Sequence, residues 1–272
     1  MTERVYGDIG TKDTAKQREF LTRLIQLAPD LLFQVDKHGR TTLLCALGQV
    51  GRGRDLGEGI DALLESGADV TAPNAELGET PLHLLSGGWW QIDAKGGDDV
   101  AAVCGRRQVL LHKFLARGAD INAKDRAGET PAFRFMHKGV VKVKVPESQV
   151  NPSLRGEVYI AADNLIDKRK GEAAVRLQDI AMDLSGQVGV DWTHLSTRGQ
   201  SLLHLAAGRG DDVQYQKGRG LGRFRYLMGK GLDILAEDDQ HRSALDFAAA
   251  SGAEDILEYV RREQHGYGFE NT

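Results

Sequence analysis

The stretch Gly78-Glu79-Thr80-Pro81-Leu82-His83 decides how the rest of the chain is read. It sets out a helix start in order: a glycine able to enter the left-handed region, a threonine suited to cap, and a proline at the first helical position. Nine residues upstream stands Asp69, inside Gly67-Ala68-Asp69-Val70, and the pair of signatures recurs. Gly118-Ala119-Asp120-Ile121 leads to Gly128-Glu129-Thr130-Pro131, and Gly189-Val190-Asp191-Trp192 leads to Gly199-Gln200-Ser201-Leu202-Leu203-His204. Gly231-Leu232-Asp233-Ile234 leads to His241-Arg242-Ser243-Ala244-Leu245, and a degenerate Pro29-Asp30-Leu31 leads to Gly39-Arg40-Thr41-Thr42-Leu43. The aspartate-to-glycine separation is 8 or 9 residues in all five copies, with His241 in the glycine position. Similarity at fixed spacing marks a repeat architecture, whose units bury their apolar faces only by stacking. Gly67, Gly118 and Gly231 fall where a helix ends, at the position that favours glycine. The apolar residue after each aspartate (Leu31, Val70, Ile121, Trp192, Ile234) predicts one core row along the stack.

This pattern resembles the ankyrin repeat over roughly residues 14–263, and Thr80-Pro81-Leu82-His83 reproduces that family's T-P-L-H motif in full. The other copies depart from it: Thr41-Thr42-Leu43-Leu44, Thr130-Pro131-Ala132-Phe133, Ser201-Leu202-Leu203-His204 and Ser243-Ala244-Leu245-Asp246. The resemblance implies an all-α solenoid of about five repeats, each with two antiparallel helices, plus an N-terminal capping helix. The divisions expected are 1–35 (capping helix and linker), 36–72, 73–123, 124–194, 195–236 and 237–265 (the repeats, the last with a C-terminal cap), and a tail at 266–272. Residues 14–28 put Phe20, Leu21, Leu24, Ile25 and Leu27 on a helical stripe, while 254–263 is charged, as a solvent-facing end requires.

The period is irregular. Gly39, Gly78, Gly128, Gly199 and His241 are separated by 39, 50, 71 and 42 residues, against about 33 in the family. Since the aspartate-to-glycine stretch is constant, the excess enters between the two helices of a repeat and emerges along one edge. Four inserts are expected, at 51–59, 87–107, 140–171 and 211–222. In the third, Val141, Val143 and Val145 alternate with Lys142 and Lys144, a two-residue period that predicts a short β element; an outer helix follows over 172–184.

Composition excludes several classes. With net charge −4 and 27% charged residues, the 272-residue chain has no global attraction to nucleic acid or anionic membrane. No apolar run reaches the roughly 18–20 residues of a membrane span, and MTERVYGDIG has no apolar signal core. Two cysteines, Cys45 and Cys104, form no metal or redox spacing and suit a reducing compartment. A cytoplasmic or nuclear monomer without cofactor or metal is expected. No catalytic motif stands in the sequence, so a non-enzymatic role is expected.

The resemblance implies a scaffold that binds a partner protein through its turn tips and a concave inner-helix surface. The tip residues are then Lys37, His38, Arg40, Glu79, Arg126, Glu129, Arg198, Gln200, Gln240 and Arg242. Their cationic bias points to an acidic protein partner. His83 and His204 fall in the family's histidine slot, which implies hydrogen bonds tying neighbouring repeats rather than ligand binding. Trp89 and Trp90 are candidate insert anchors, either pinning the insert or meeting a partner. The alternative function is small-molecule or phosphate binding, with or without catalysis, by the inserts. Lys217-Gly218-Arg219-Gly220-Leu221-Gly222-Arg223 supplies glycines and cations for a phosphate, though not in P-loop order.

Overall fold

The computed structural model describes residues 14–50, 57–88, 100–137, 188–208 and 219–266. Among these residues there are ten α-helices in two rows. One row runs through α2 (Thr42–Val50), α4 (Pro81–Gly88), α6 (Pro131–His137), α7 (Leu202–Ala207) and α9 (Ala244–Ser251), each packed on the next. The other holds α1 (Thr14–Leu27), α3 (Gly57–Glu65), α5 (Val100–Leu115), α8 (Arg219–Gly229) and α10 (Glu254–Gly266). Helix α3 packs on α2, α5 on α4, α8 on α7 and α10 on α9. The architecture is an all-helical stack of short helix pairs. No helix of the first row exceeds nine residues, too short to persist alone in water, so each owes its stability to its neighbours.

The helix ends follow the sequence reading. Gly67 at φ 90° lets its N–H reach Leu64 O (3.2 Å) and that of Ala68 reach Leu63 O (2.9 Å), closing two orphan carbonyls of α3. The glycine of each inter-helix turn is also left-handed, and His241 takes the same conformation, at φ 56°. Stacking explains why only the last turn tolerates a side chain there. A Cβ on Gly128 would lie 3.0 Å from Thr197 N and 2.9 Å from its Cγ2, whereas among the described residues no further tip stacks on His241. The left-handed backbone still costs a non-glycine residue about 1–2 kcal/mol.

The core is continuous from Ile25 to Val260 and contains Leu47, Leu63, Leu82, Phe114, Phe133, Leu202, Phe224 and Ile256. Burying one such side chain contributes about 1.5–3 kcal/mol. Of the row after the aspartates, Val70 and Trp192 are buried, and Ile121 and Ile234 are half-buried against the core. In the first copy Leu32 enters the core in place of Leu31, because Pro29–Leu32 winds into a 3-10 turn that shifts the register by one residue.

The threonine-to-histidine segments join successive pairs. His83 Nδ1 accepts the Thr80 N–H (3.1 Å) and lies 2.8 Å from Thr80 Oγ1, while Nε2 is 3.0 Å from Glu129 O of the next turn. His204 repeats this on Ser201 N (3.1 Å), Ser201 Oγ (2.8 Å) and Arg242 O (3.0 Å). An Nδ1 that accepts leaves the proton on Nε2, so each ring donates across the joint. Between α6 and α7 the slot holds Phe133, and the buried Thr130 hydroxyl has no hydrogen-bond partner among the described residues. There the tie comes from the other side: His194 Nε2 is 2.8 Å from Gly128 O, its ring edge-on to Phe133 at 6.0 Å.

Three expectations are corrected. The fold is all-helical without a β element: among the described residues no strand occurs, only the isolated bridge between Val35 and Thr41. Residues 141–145, whose alternation suggested one, lie outside the described residues. The stripe on α1 is narrower than expected; Leu21 and Ile25 face the stack, whereas Leu27 is 74% exposed and Phe20 48%. Three inserts are shorter at their ends, since 57–59 belongs to α3, 87–88 to α4, 100–107 to α5 and 219–222 to α8. The remainder of the inserts falls largely outside the described residues, as do Trp89, Trp90 and the helix expected at 172–184.

Candidate functional site

Each inter-helix turn is closed from within by its first residue. The main chain pairs Asp36 N with Arg40 O, Asn74 N with Glu79 O, Asp125 N with Glu129 O, Ser196 N with Gln200 O and Asp238 N with Arg242 O, at 2.9–3.0 Å. The first side chain then accepts from the turn's amides. Asp125 Oδ1 takes those of Ala127 (2.8 Å) and Glu129 (2.9 Å), and Asp238 Oδ1 those of Gln240 (2.9 Å) and Arg242 (3.0 Å). With these polar groups satisfied inside, the intervening residues project outward.

The tips are also joined to one another. Arg126 N donates to Leu77 O (2.9 Å), Thr197 N to Ala127 O (2.9 Å) and Asp239 N to Arg198 O (3.0 Å). A backbone ladder thus runs from the second turn to the fifth. Asn122 adds a lateral tie, donating from Nδ2 to Gly189 O (3.0 Å) and accepting at Oδ1 from Asp191 N (2.9 Å).

The ten residues expected at the tips divide into two sets. Lys37, Arg126, Arg198 and Gln240 are exposed, and none forms an ion pair among the described residues. His38 is half-buried, with Nδ1 3.4 Å from Glu76 Oε2. The residues just after the left-handed position turn back under the tip instead. Glu79 is only 5% exposed, accepts from Asn74 Nδ2 (3.2 Å), and meets Arg134 Nε at 3.1 Å as an ion pair without hydrogen-bond geometry. Gln200 is 9% exposed and donates to Asp238 Oδ2 (3.3 Å); Glu129 is half-buried. Arg40 reaches Asp36 Oδ2 through Nε (2.8 Å) and Nη2 (2.6 Å). Arg242 reaches Asp238 Oδ2 likewise (3.1 and 2.7 Å), with its guanidinium 4.6 Å over the Phe247 ring.

The electrostatics follow from these contacts. Burial pushes the Asp36 carboxyl up, but the Arg40 side chain and the amides of Arg40 and His38 outweigh it and hold the group well below the usual carboxylate range. At Asp238 the Arg242 side chain dominates over burial, with the same outcome. Burial pushes the His83 imidazole down, keeping it neutral, as its role as acceptor at Nδ1 requires. Asp36 and Asp238 thereby neutralise Arg40 and Arg242, leaving the outward cations at Lys37, Arg126 and Arg198.

Lys124 escaped the sequence reading. It precedes Asp125, is exposed, and has no ion-pair partner among the described residues; the signal available was its place beside the turn-closing aspartate. Cys45 is half-buried, with Sγ 3.7 Å from Asp36 Oδ2. The glycine- and cation-rich stretch is divided. Lys217 and Gly218 lie outside the described residues, 219–222 is helical, and Arg223 is buried, with Nη1 3.5 Å from Met136 O. Among the described residues no group of three or more His, Cys, Asp or Glu is placed to hold a metal ion, and no helix is long and apolar enough to cross a membrane.

The fold and its turns define a helical stack of repeated pairs joined by hydrogen-bonded tips. Known proteins add a partial likeness to this. The chain is similar to Ankyrin repeat domain-containing protein 37 of Xenopus tropicalis, at 29% identity over 82 residues, which is 30% of this chain and 40% of that protein. The match therefore spans less than half the length of that relative, and the relation it supports is distant. No family model matches the chain.

Proposed function

We propose that the chain is a protein-binding module, not an enzyme, which docks a partner protein or peptide across its turn tips and the adjoining inner-helix face. The observation that supports this reading is the hydrogen-bonded row of tips, with Arg126, Arg198 and Gln240 projecting from a ladder that fixes their spacing. A surface ordered before binding spends less free energy on immobilising loops, so contacts on it convert more fully into affinity. Fold alone does not specify function; the reading rests on the tips and on the polar groups that close the turns beneath them. A cytoplasmic or nuclear setting belongs to the same proposal.

The test is affinity capture from native extract with the full chain and with Arg126→Glu/Arg198→Glu. Both side chains are exposed, so the fold is expected to survive, and circular dichroism checks this. The reading expects a captured partner whose recovery falls about ten-fold or more in the double variant. Equal recovery by both chains would overturn binding through the tips.

A further inference from the structure

Most cations with described side chains are already engaged. Arg18 holds Glu58 and Glu65, Lys113 holds Asp61, Arg134 faces Glu79, and Arg225 and Lys230 lie over tyrosine rings. Among the described residues, the exposed cations with no hydrogen bond, ion pair or ring contact from the side chain are Arg23, Lys37, Lys124, Arg126, Arg198 and Arg261. Three of them, Lys124, Arg126 and Arg198, sit on two consecutive turns coupled by the Thr197 N to Ala127 O bond of 2.9 Å. The acids of the third turn face elsewhere: Asp125 is turned onto its own amides and Glu129 is half-buried.

Two large apolar side chains share this surface. Leu77 is 49% exposed and its carbonyl receives the Arg126 amide, so the two residues adjoin. Leu195 is 50% exposed and directly precedes Ser196, the residue that closes the turn carrying Arg198. The cationic character is bounded on both sides: Asp239 and Glu237 are exposed at the fifth turn, and Glu76 is exposed in the second, beside Leu77.

Resting on the proposed tip binding, we infer that the second to fourth turns receive an extended acidic peptide segment whose carboxylates are interleaved with apolar residues. Stacked helices lie about 8–10 Å apart, which sets the turn-to-turn distance. A polyproline II segment rises about 3.1 Å per residue with three residues per turn, so it returns a side chain to the same face every ~9 Å. Carboxylates three residues apart therefore meet Arg126 and Arg198 in turn, and the apolar residues between them cover Leu77 and Leu195. The exposed acids on either side set the register, repelling a segment whose acidic run continues past Arg126 or Arg198.

The experiment pans a random 12-residue peptide display library against the full chain, then measures the selected peptides on wild type and on Lys124→Glu/Arg126→Glu/Arg198→Glu. The expected result is enrichment of Asp and Glu at three-residue spacing with apolar neighbours, about ten-fold or greater weakening in the triple variant, and weakening with added salt. Peptides without acidic enrichment that still lose binding in the triple variant would overturn this inference and leave tip binding standing. Peptides bound equally by both chains, or none retained, would overturn both.

Discussion

The joint between α4 and α6 and the joint between α6 and α7 solve one problem in opposite ways. At the first, His83 on the helix ties down the following turn at Glu129 O, and the turn offers only Ala123 at the facing position. At the second, the helix offers Phe133, and the turn supplies His194, which reaches back to Gly128 O. The joint between α7 and α9 returns to the first arrangement, with His204 on the helix and Ala236 in the turn. At these three joints one imidazole suffices, from either side, but the two sides are not equivalent. His83 also satisfies its own helix cap, whereas the reversed joint leaves the buried Thr130 hydroxyl unpaired. At the last helix of the row the cap is kept and the bridge dropped: Asp246 receives the Ser243 amide (2.7 Å) and hydroxyl (2.6 Å).

The largest effect on this comparison is expected from His83→Phe. It imposes the second arrangement where the turn carries Ala123, leaving the Thr80 amide unpaired and the Glu129 carbonyl with the Asp125 amide alone. An unpaired buried group costs about 1–3 kcal/mol and a lost hydrogen bond about 0.5–1.5 kcal/mol, so denaturant titration is expected to show a loss of about 2–4 kcal/mol. A loss under about 1 kcal/mol would mean that the imidazole bridge does not hold the joint.

A smaller effect sharpens the contrast. His194→Ala removes the bond to Gly128 O and the ring contact, for an expected loss of about 1–2 kcal/mol. Combined with Phe133→His, which restores the first arrangement and gives Thr130 a partner, the loss is expected to shrink. A double-mutant cycle reads this as favourable coupling of about 1 kcal/mol; purely additive losses would contradict the exchange of ties.

Much of this architecture was legible in the sequence because a steric demand stands behind it. Only a left-handed residue closes each turn, so the spacing from aspartate to Gly39, Gly78, Gly128 and Gly199 stays fixed, and His241 was identifiable by position alone. The ties made by His83 and His204 followed from the motif. The substitute tie did not: His194 lies outside the signature, and its meaning depends on Phe133 facing it across the joint. The tip surface was legible in part. Arg126 and Arg198 project as expected, but Glu79 and Gln200 fold under the tip toward Arg134 and Asp238, partners supplied by the next unit. Position in the repeat gives a residue's place along the turn; whether its side chain finds a buried partner depends on what the neighbouring copy presents.

Both joints serve the same end, which is to hold consecutive tips in hydrogen-bonding register. The most direct test is native-state hydrogen exchange at the amides of Arg126, Thr197 and Asp239, the three donors of the ladder. The account predicts that all three are protected, and that His83→Phe lowers protection at Arg126 more than at Asp239, on the far side of the His204 joint. Exchange of the three amides at the rate of an unstructured chain would contradict a continuous row of tips, and with it the basis of the proposed binding surface.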